Sequence, residues 1–480
     1  MNENSKSKKN TDWIFEEFES SNFGDKRLST RLCLIAKGFY NNLGSSIPQN
    51  STNWTGAKGT YRFFDNNKVM SEKILEPHTA STLKRIRDNK IILAIQDTTL
   101  LDYSTHLSTS GIGAIGDGFG RGLFLHPTIA TSCTGIPLGI LNLQIWSHDE
   151  EYYKKREGIS RKKVPLEDRD SYKWIKSYKS LVEHQETIKN KVHFVSICDR
   201  EGDNYELFHE HFKMSQTMES PPDVLVRAKN NRKLSTESQC LWDFMEQKEI
   251  HAEYEIIVPR KKGQKERRTN LEVKFSEVEI KSPLGRPLSD GKLPDLKLYA
   301  IYCNESDKTL IKAEDSISWM LLTTMPIYNF EDAQEKINWY VNRWLIERFF
   351  KCLKSGCKTE SRQLKDIHRL KSVIILDCII AWRVLFLILI GRENLELKAD
   401  ILFKKEEWEA LHIRIEDGVS PPNEIPYLKT VLIQIAKLGG FLARKGDGFP
   451  GEATLTRGLR KLQELTLFYS LIKEKDKGND

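Results

Sequence analysis

Eight cysteines are scattered through 480 residues with no Cys-x-x-Cys pair and no histidine at zinc spacing. That absence excludes zinc fingers and disulfide scaffolds, and it points to reduced thiols in a cytosolic compartment. The opening segment, MNENSKSKKNTDW, has no apolar core, so export through a signal peptide is not expected. An uninterrupted membrane span is also lacking. The most apolar run, SVIILDCIIAWRVLFLILIG, is broken by Asp377 and Arg383, charges that are costly at mid-membrane, and it reads as a buried helix. There is no internal repeat and no long low-complexity segment. Charge of one sign is only slightly in excess, 74 Lys and Arg against 67 Asp and Glu for a net +7, so a polyanionic partner requires that the excess be locally concentrated.

The length exceeds what one ordinary core supports, and two or three domains follow. Up to about residue 70 the pattern is helical, in DWIFEEFESSNFGDKRLSTRLCLIAKGFYNNL, with a break at Gly24. The β-branched run at 91–95 in KIILAIQDTTLLDY reads as a buried strand that delivers Asp97 at its end. A glycine-rich stretch (GIGAIGDGFGRGLF) and a hairpin signal (LHPTIATSC, TGIP, PLGILNLQIW) come next. A helix and a second buried strand follow, VHFVSICDREGD, ending at Asp199. Residues 240–315 read as a β-rich insertion around the basic connector RKKGQKERR. SWMLLTTMPI returns to a buried strand, and from about 370 onward the chain is helical again, with a break at GDGFPGEAT.

Between these lies NWYVNRWLIERFFKCLKSG, positions 338–356. Read as one helix at about 100° per residue, it places Tyr340, Arg343, Glu347 and Lys354 within roughly 60° of arc, with Lys351 beside them and Leu345, Ile346, Phe349 and Leu353 opposite. Three acidic residues thus stand at positions a fold could bring together: Asp97 and Asp199 at strand ends, and Glu347 on a helix that follows the sheet. Mg2+ takes hard oxygen ligands, and two such ions between carboxylates and phosphate oxygens can support an in-line phosphoryl displacement. Arg343, Lys351 and Lys354 would then neutralise DNA phosphates. Each residue also has a plain structural reading: a strand-end Asp as a turn or cap, His126 as a hydrogen-bonded core histidine, Trp319 as core, and the connector at 260–268 as a solvated loop.

Tyr340, Arg343, Glu347 and Lys354 have the Y-x2-R-x3-E-x6-K spacing of bacterial insertion-sequence transposases of the IS-four type. The aspartates in AIQDTT and CDREGD resemble that family's other two motifs, and FGDKRLSTR, YRFFDNN, SWMLLTTMP and AKLGGF extend the match over nearly the whole chain, closest to the Tn-five branch. The resemblance implies an α/β fold: a ribonuclease-H-like catalytic domain at 71–372 with its β-rich insertion, between an N-terminal helical DNA-binding domain (1–70) and a C-terminal helical dimerisation domain (373–480). It implies that Asp97, Asp199 and Glu347 hold two Mg2+ per site, with Mn2+ able to substitute. Tyr340, Arg343 and Lys354 would contact phosphates, Trp319 would stack on a flipped base, and Arg31 would contact DNA. The activity implied is cut-and-paste transposition in the bacterial cytoplasm, through a synaptic homodimer on transposon ends and target DNA; the alternative is a relative that binds DNA without cutting it. One departure stands out: GFPGEATLTRGLRKL lacks the tryptophans that the relatives carry there.

Overall fold

The structure, a computed structural model, describes residues 12–51, 53–115, 120–149, 152, 164–189, 191–236, 238–258, 267–283, 293–306 and 316–477. Residues 260–266 of the basic connector and the middle of the glycine-rich stretch lie outside them; the last two residues of the connector, Arg267 and Arg268, open a strand rather than continue a loop. The described residues begin with three helices: α1 (Trp13–Phe18), α2 (Lys26–Asn41) and α3 (Trp54–Phe64). Each starts where a short acceptor side chain caps free N–H groups: Asp12 takes the Ile14 N–H, Asp25 that of Arg27, and Asn53 that of Gly56. In α2, Leu32, Ile35, Ala36 and Phe39 recur at helical spacing and are buried. Gly24 separates α1 from α2 with a φ of 72°, a conformation that favours glycine. Then α4 (Ser71–Arg85) leads to the sheet.

Eleven strands among the described residues form one sheet. In chain order they are β1 (Ile91–Gln96), β2 (Thr99–Asp102), β3 (Gly113–Ile115), β4 (Gly120–Thr131), β5 (Pro137–Trp146), β6 (His193–Cys198), β7 (Asp223–Arg227), β8 (Ala252–Val258), β9 (Arg267–Ile280), β10 (Leu296–Glu305) and β11 (Ser318–Thr323). Helices α5 (Tyr172–Thr187), α6 (Tyr205–Met214) and α7 (Leu241–Glu246) are interspersed. The spatial order is β2-β4-β1-β6-β7-β11-β10-β9-β8, with β3 and β5 also paired to β4. β1, β6 and β7 run parallel, while β4 is antiparallel to β1. This is the ribonuclease-H-like core expected from the sequence. β1 and β6 are covered on both faces, which is why they read as unbroken apolar runs rather than alternating ones. The β-rich insertion does not form a sheet of its own; β10, β9 and β8 add to β11 and prolong the central one.

The segment 338–356 is not one helix. It consists of α8 (Phe330–Val341), a 3-10 turn at Asn342–Trp344, α9 (Leu345–Lys351) and a π turn at Cys352–Gly356. A single helical wheel therefore misplaces residues beyond 341. The chain then enters α10 (Ile367–Glu393), followed by α11 (Lys405–Ile415), α12 (Leu428–Leu438) and α13 (Glu452–Lys477). Helix α10 is apolar and long enough to cross a membrane, yet most of it is buried inside the protein. Of the two charges inside its apolar run, Asp377 accepts two bonds from Arg362, at 2.7 and 2.9 Å, and the Arg383 guanidinium lies 5.0 Å from the Trp13 ring centroid. The boundary expected at 372/373 falls within this helix.

One apolar core runs from α1 and α2, past the inner face of the sheet, to α10–α13. A second lies on the other face under α5–α7. The N-terminal helices are further joined to the rest by polar contacts: Glu17 pairs with Arg85 at 2.7 Å and accepts from His78 Nδ1 at 2.6 Å, the other ring nitrogen of His78 accepting the Ile140 N–H, and the Arg362 guanidinium sits 4.5 Å from the Phe39 ring centroid.

Candidate active site and nucleic-acid interface

Asp97 is the first residue beyond β1, and Asp199 the first beyond β6. Because these strands are parallel and Ile95 lies opposite Ile197, both carboxylates leave the same edge of the sheet on neighbouring strands. Local turns aim them. Asp97 Oδ1 accepts the Thr98 N–H at 2.7 Å, and Asp199 caps a 3-10 turn by accepting the Glu201 N–H at 2.8 Å. Burial, and next the negative charge of Asp199, raises the Asp97 carboxyl to about 6; the Thr98 N–H and Arg343 act against this rise. Two oxygen donors that repel each other in a partly buried setting suit a hard dication, which removes the repulsion.

Glu347 lies in the first turn of α9 and is 45% exposed. It reaches Asp97 through Arg343, whose Nη1 lies 3.3 Å from Asp97 Oδ2 and whose Nη2 lies 2.9 Å from Glu347 Oε1. The guanidinium thus occupies the space between the first and third carboxylates. Among the described residues no three acidic, histidine or cysteine side chains stand at metal-binding distance from one another. The sequence placed Arg343 as a phosphate contact; here it bridges the candidate ligands.

Tyr340, at the end of α8, is buried, with its ring edge-on to Trp319 of β11 at 5.3 Å. Trp319 is only 8% exposed, so a base could stack on it only after the surrounding side chains part. Beside them stands Arg227, the last residue of β7, in register with Asp199 because Cys198 pairs with Val226. Its guanidinium donates to the Ser318 carbonyl at 2.9 Å and neighbours Tyr340. The sequence reading passed over Arg227; its signal is a cation directly at the end of a buried strand.

The lysines of the expected stripe have partners elsewhere. Lys351 meets Glu452 at the start of α13, at 3.1 Å, and Arg348 meets the same carboxylate at 2.5 Å, so α9 is fastened to the C-terminal helix. Lys354 donates to the Leu100 carbonyl at 2.5 Å and lies 3.4 Å from Glu360. Arg31 is remote from this edge. It lies in α2 on a cleft shared with Lys37, Asn42, Gln49 and Asn50, against Gly59 of α3, where a Cβ would stand 3.0 Å from its Nη1.

A mixed sheet of this order, with carboxylates at the ends of adjacent parallel strands, defines the class as a protein with a ribonuclease-H-like core. Comparison with protein families narrows this. Residues 10–69 match the family described as Transposase DNA-binding, residues 190–382 the Transposase DDE domain, and residues 379–473 the Transposase Tn5 dimerisation domain. The chain belongs to the Tn5-like DDE transposases of the IS-four type. It is a transposase that binds DNA and forms homodimers, and DDE domains of this family work with divalent metal ions.

Proposed function

We propose that this chain carries out cut-and-paste transposition with Asp97, Asp199 and Glu347 as its catalytic carboxylates. The observation that carries the reading is the pairing of Asp97 and Asp199 on adjacent parallel strands, with Glu347 joined to Asp97 through Arg343. These three side chains would hold Mg2+, with Mn2+ able to substitute, and the metal would supply Lewis acidity and a lowered pKa for bound water. Arg343 keeps the carboxylates close together before metal and DNA arrive, then turns to a phosphate. The reaction order is a hydrolytic nick, attack of the freed 3′-hydroxyl on the opposite strand to close a hairpin, reopening of the hairpin, and joining to target DNA.

Tyr340, Arg227 and Arg343 form the phosphate-binding wall of the site, and Lys351 and Lys354 extend it along α9 and the π turn. Trp319 receives an extruded base when its contact with Tyr340 opens; stacking offsets part of the unstacking cost. Arg31 and its polar cleft read the transposon end. Residues 1–70, 71–372 and 373–480 divide the labour between end binding, catalysis and pairing. For the homodimer, α13 offers Leu467, Phe468, Leu471 and Ile472, all more than half exposed and spaced as a stripe on one helix. The test is incubation with Mg2+ and DNA bearing the ends that flank its own gene. Hairpins and joined products are expected, and Asp97→Asn, Asp199→Asn and Glu347→Gln should each lose cleavage while retaining end binding. Absence of products with both Mg2+ and Mn2+ would leave a DNA-binding relative that does not cut.

A further inference from the structure

Behind the two aspartates runs a chain of polar side chains for which packing alone gives no reason. Gln96, His126 and Ser196 are fully buried, and such groups are costly unless paired. Gln96 is the last residue of β1 and Cys198 the last of β6, so each directly precedes a candidate catalytic aspartate. His126 projects from β4, the strand on the far side of β1. Its Nδ1 lies 3.0 Å from Thr98 Oγ1 and its Nε2 lies 3.3 Å from Gln96 Oε1. Gln96 Nε2 donates to Ser196 Oγ at 2.7 Å, and that oxygen is 3.7 Å from Cys198 Sγ.

The chain has a direction. With its amide nitrogen committed to Ser196, Gln96 can only accept through its oxygen, so the imidazole proton sits on Nε2 and Nδ1 accepts the Thr98 hydroxyl. Burial, with Lys173 nearby, keeps the ring neutral. Trp174 packs edge-on against the ring, its centroid 4.6 Å from that of the imidazole. One ring therefore holds the residues on both sides of Asp97, and the same chain crosses to the strand that carries Asp199.

We propose that His126 is a positioning residue for the carboxylate pair: through Thr98 and Gln96 it sets the direction in which Asp97 leaves β1, and through Ser196 it fixes that aspartate relative to Asp199. The proposal rests on the reading of these aspartates as metal ligands. Carboxylates on separate strands bind a dication only at a set separation, and removing the partners that orient metal ligands commonly changes metal affinity about 10–100-fold.

The probe is Mn2+, titrated calorimetrically into the DNA-free full-length protein. His126→Phe keeps ring bulk and removes both hydrogen bonds; we expect it to raise the Mn2+ dissociation constant about tenfold or more and leave DNA binding by the N-terminal helices unchanged. His126→Gln, which keeps a donor toward Gln96, should recover part of the loss, and excess Mn2+ should restore nicking by His126→Phe. A purely structural role would produce neither recovery. If His126→Phe does not fold, Ser196→Ala and Thr98→Val cut the same chain at its two ends with less volume change, and each should weaken Mn2+ binding several-fold. Parent-like Mn2+ affinity in a folded His126→Phe, or in both substitutes, overturns the proposal. Asp97→Asn is the control: if it binds Mn2+ as the parent does, the ligand reading itself fails, whereas its loss of binding beside an unaffected His126→Phe removes the positioning role alone.

Discussion

Asp377→Asn tests how the three parts of the chain are held as one body. The substitution preserves side-chain volume and leaves Arg362 charged at a site where both partners are almost inaccessible, at 4% and 1% exposure. Two charge-assisted bonds of 2.9 and 2.7 Å weaken or disappear. Breaking one side of a buried pair costs about 3–5 kcal/mol. Arg362 keeps the Ser45 carbonyl and the Phe39 ring face, which places the expected loss near the lower end, about 3 kcal/mol or roughly a hundredfold in the folding equilibrium. Urea unfolding followed by tryptophan fluorescence and by circular dichroism measures it, as a lower midpoint with an unchanged slope. Arg362→Met combined with Asp377→Leu should regain most of the loss, because an apolar pair of similar volume removes the unpaired charge. A single variant within about 1 kcal/mol of the parent, below the range for a broken buried pair, would refute the argument, as would a double variant no better than the single one.

Three further outcomes are expected. The carboxyl of Glu17 would rise on burial, but His78 and Arg85 more than reverse this and hold it at about 2 against an ordinary 4.5. The stabilisation this gives is therefore present above pH 4.5 and is lost as the pH falls toward 2, and Glu17→Gln should flatten the stability profile over that window; an equally steep profile in the variant would exclude Glu17 as the cause. Phe468→Ser with Ile472→Ser should weaken self-association at least about a hundredfold, since each apolar side chain buried on pairing is worth roughly 1.5–3 kcal/mol; sedimentation equilibrium reads the change, and an unaltered dimer constant would move the interface elsewhere. Trp319→Leu keeps apolar bulk but removes the stacking face, so the first nick should proceed normally and hairpin closure should slow about tenfold, in line with roughly 1–3 kcal/mol per stacked base. Hairpins formed at the parent rate would take Trp319 out of base capture.

The carboxylates at 97 and 199 were legible because strands covered on both faces announce themselves as apolar runs, and the residue that ends such a run sits at a sheet edge. The strands of the insertion were legible for a related reason: RRTNLEVKFSEVEI alternates, as a half-covered strand does. That these strands prolong the central sheet was not, because sheet order depends on pairings between distant segments. The break at Asn342–Trp344 contains no glycine or proline, so local chemistry does not announce it; at that turn Arg343 reaches Asp97, 246 residues earlier. Lys351 and Lys354 lie on the helical stripe that periodicity draws, yet they donate to Glu452 and to the Leu100 carbonyl, 101 and 254 residues away, beyond any periodic signal. His126 stood in plain view, but only the strand pairing shows that it faces the neighbours of Asp97.

The arrangement around Arg362 also has a bearing on time. Its contact with the Ser45 carbonyl joins residues 317 apart in sequence, and the same arginine covers the Phe39 ring in the core of the first helices. At a synthesis rate of about 5–20 residues per second, the N-terminal helices emerge roughly 15–60 s before the segment that seals them. Over that interval they must persist with part of their apolar face open to solvent, so the earliest-made portion of the protein is among the last to reach its finished state. Ribosome-bound chains stopped before and after residue 362 should accordingly differ sharply in protease resistance within residues 12–64.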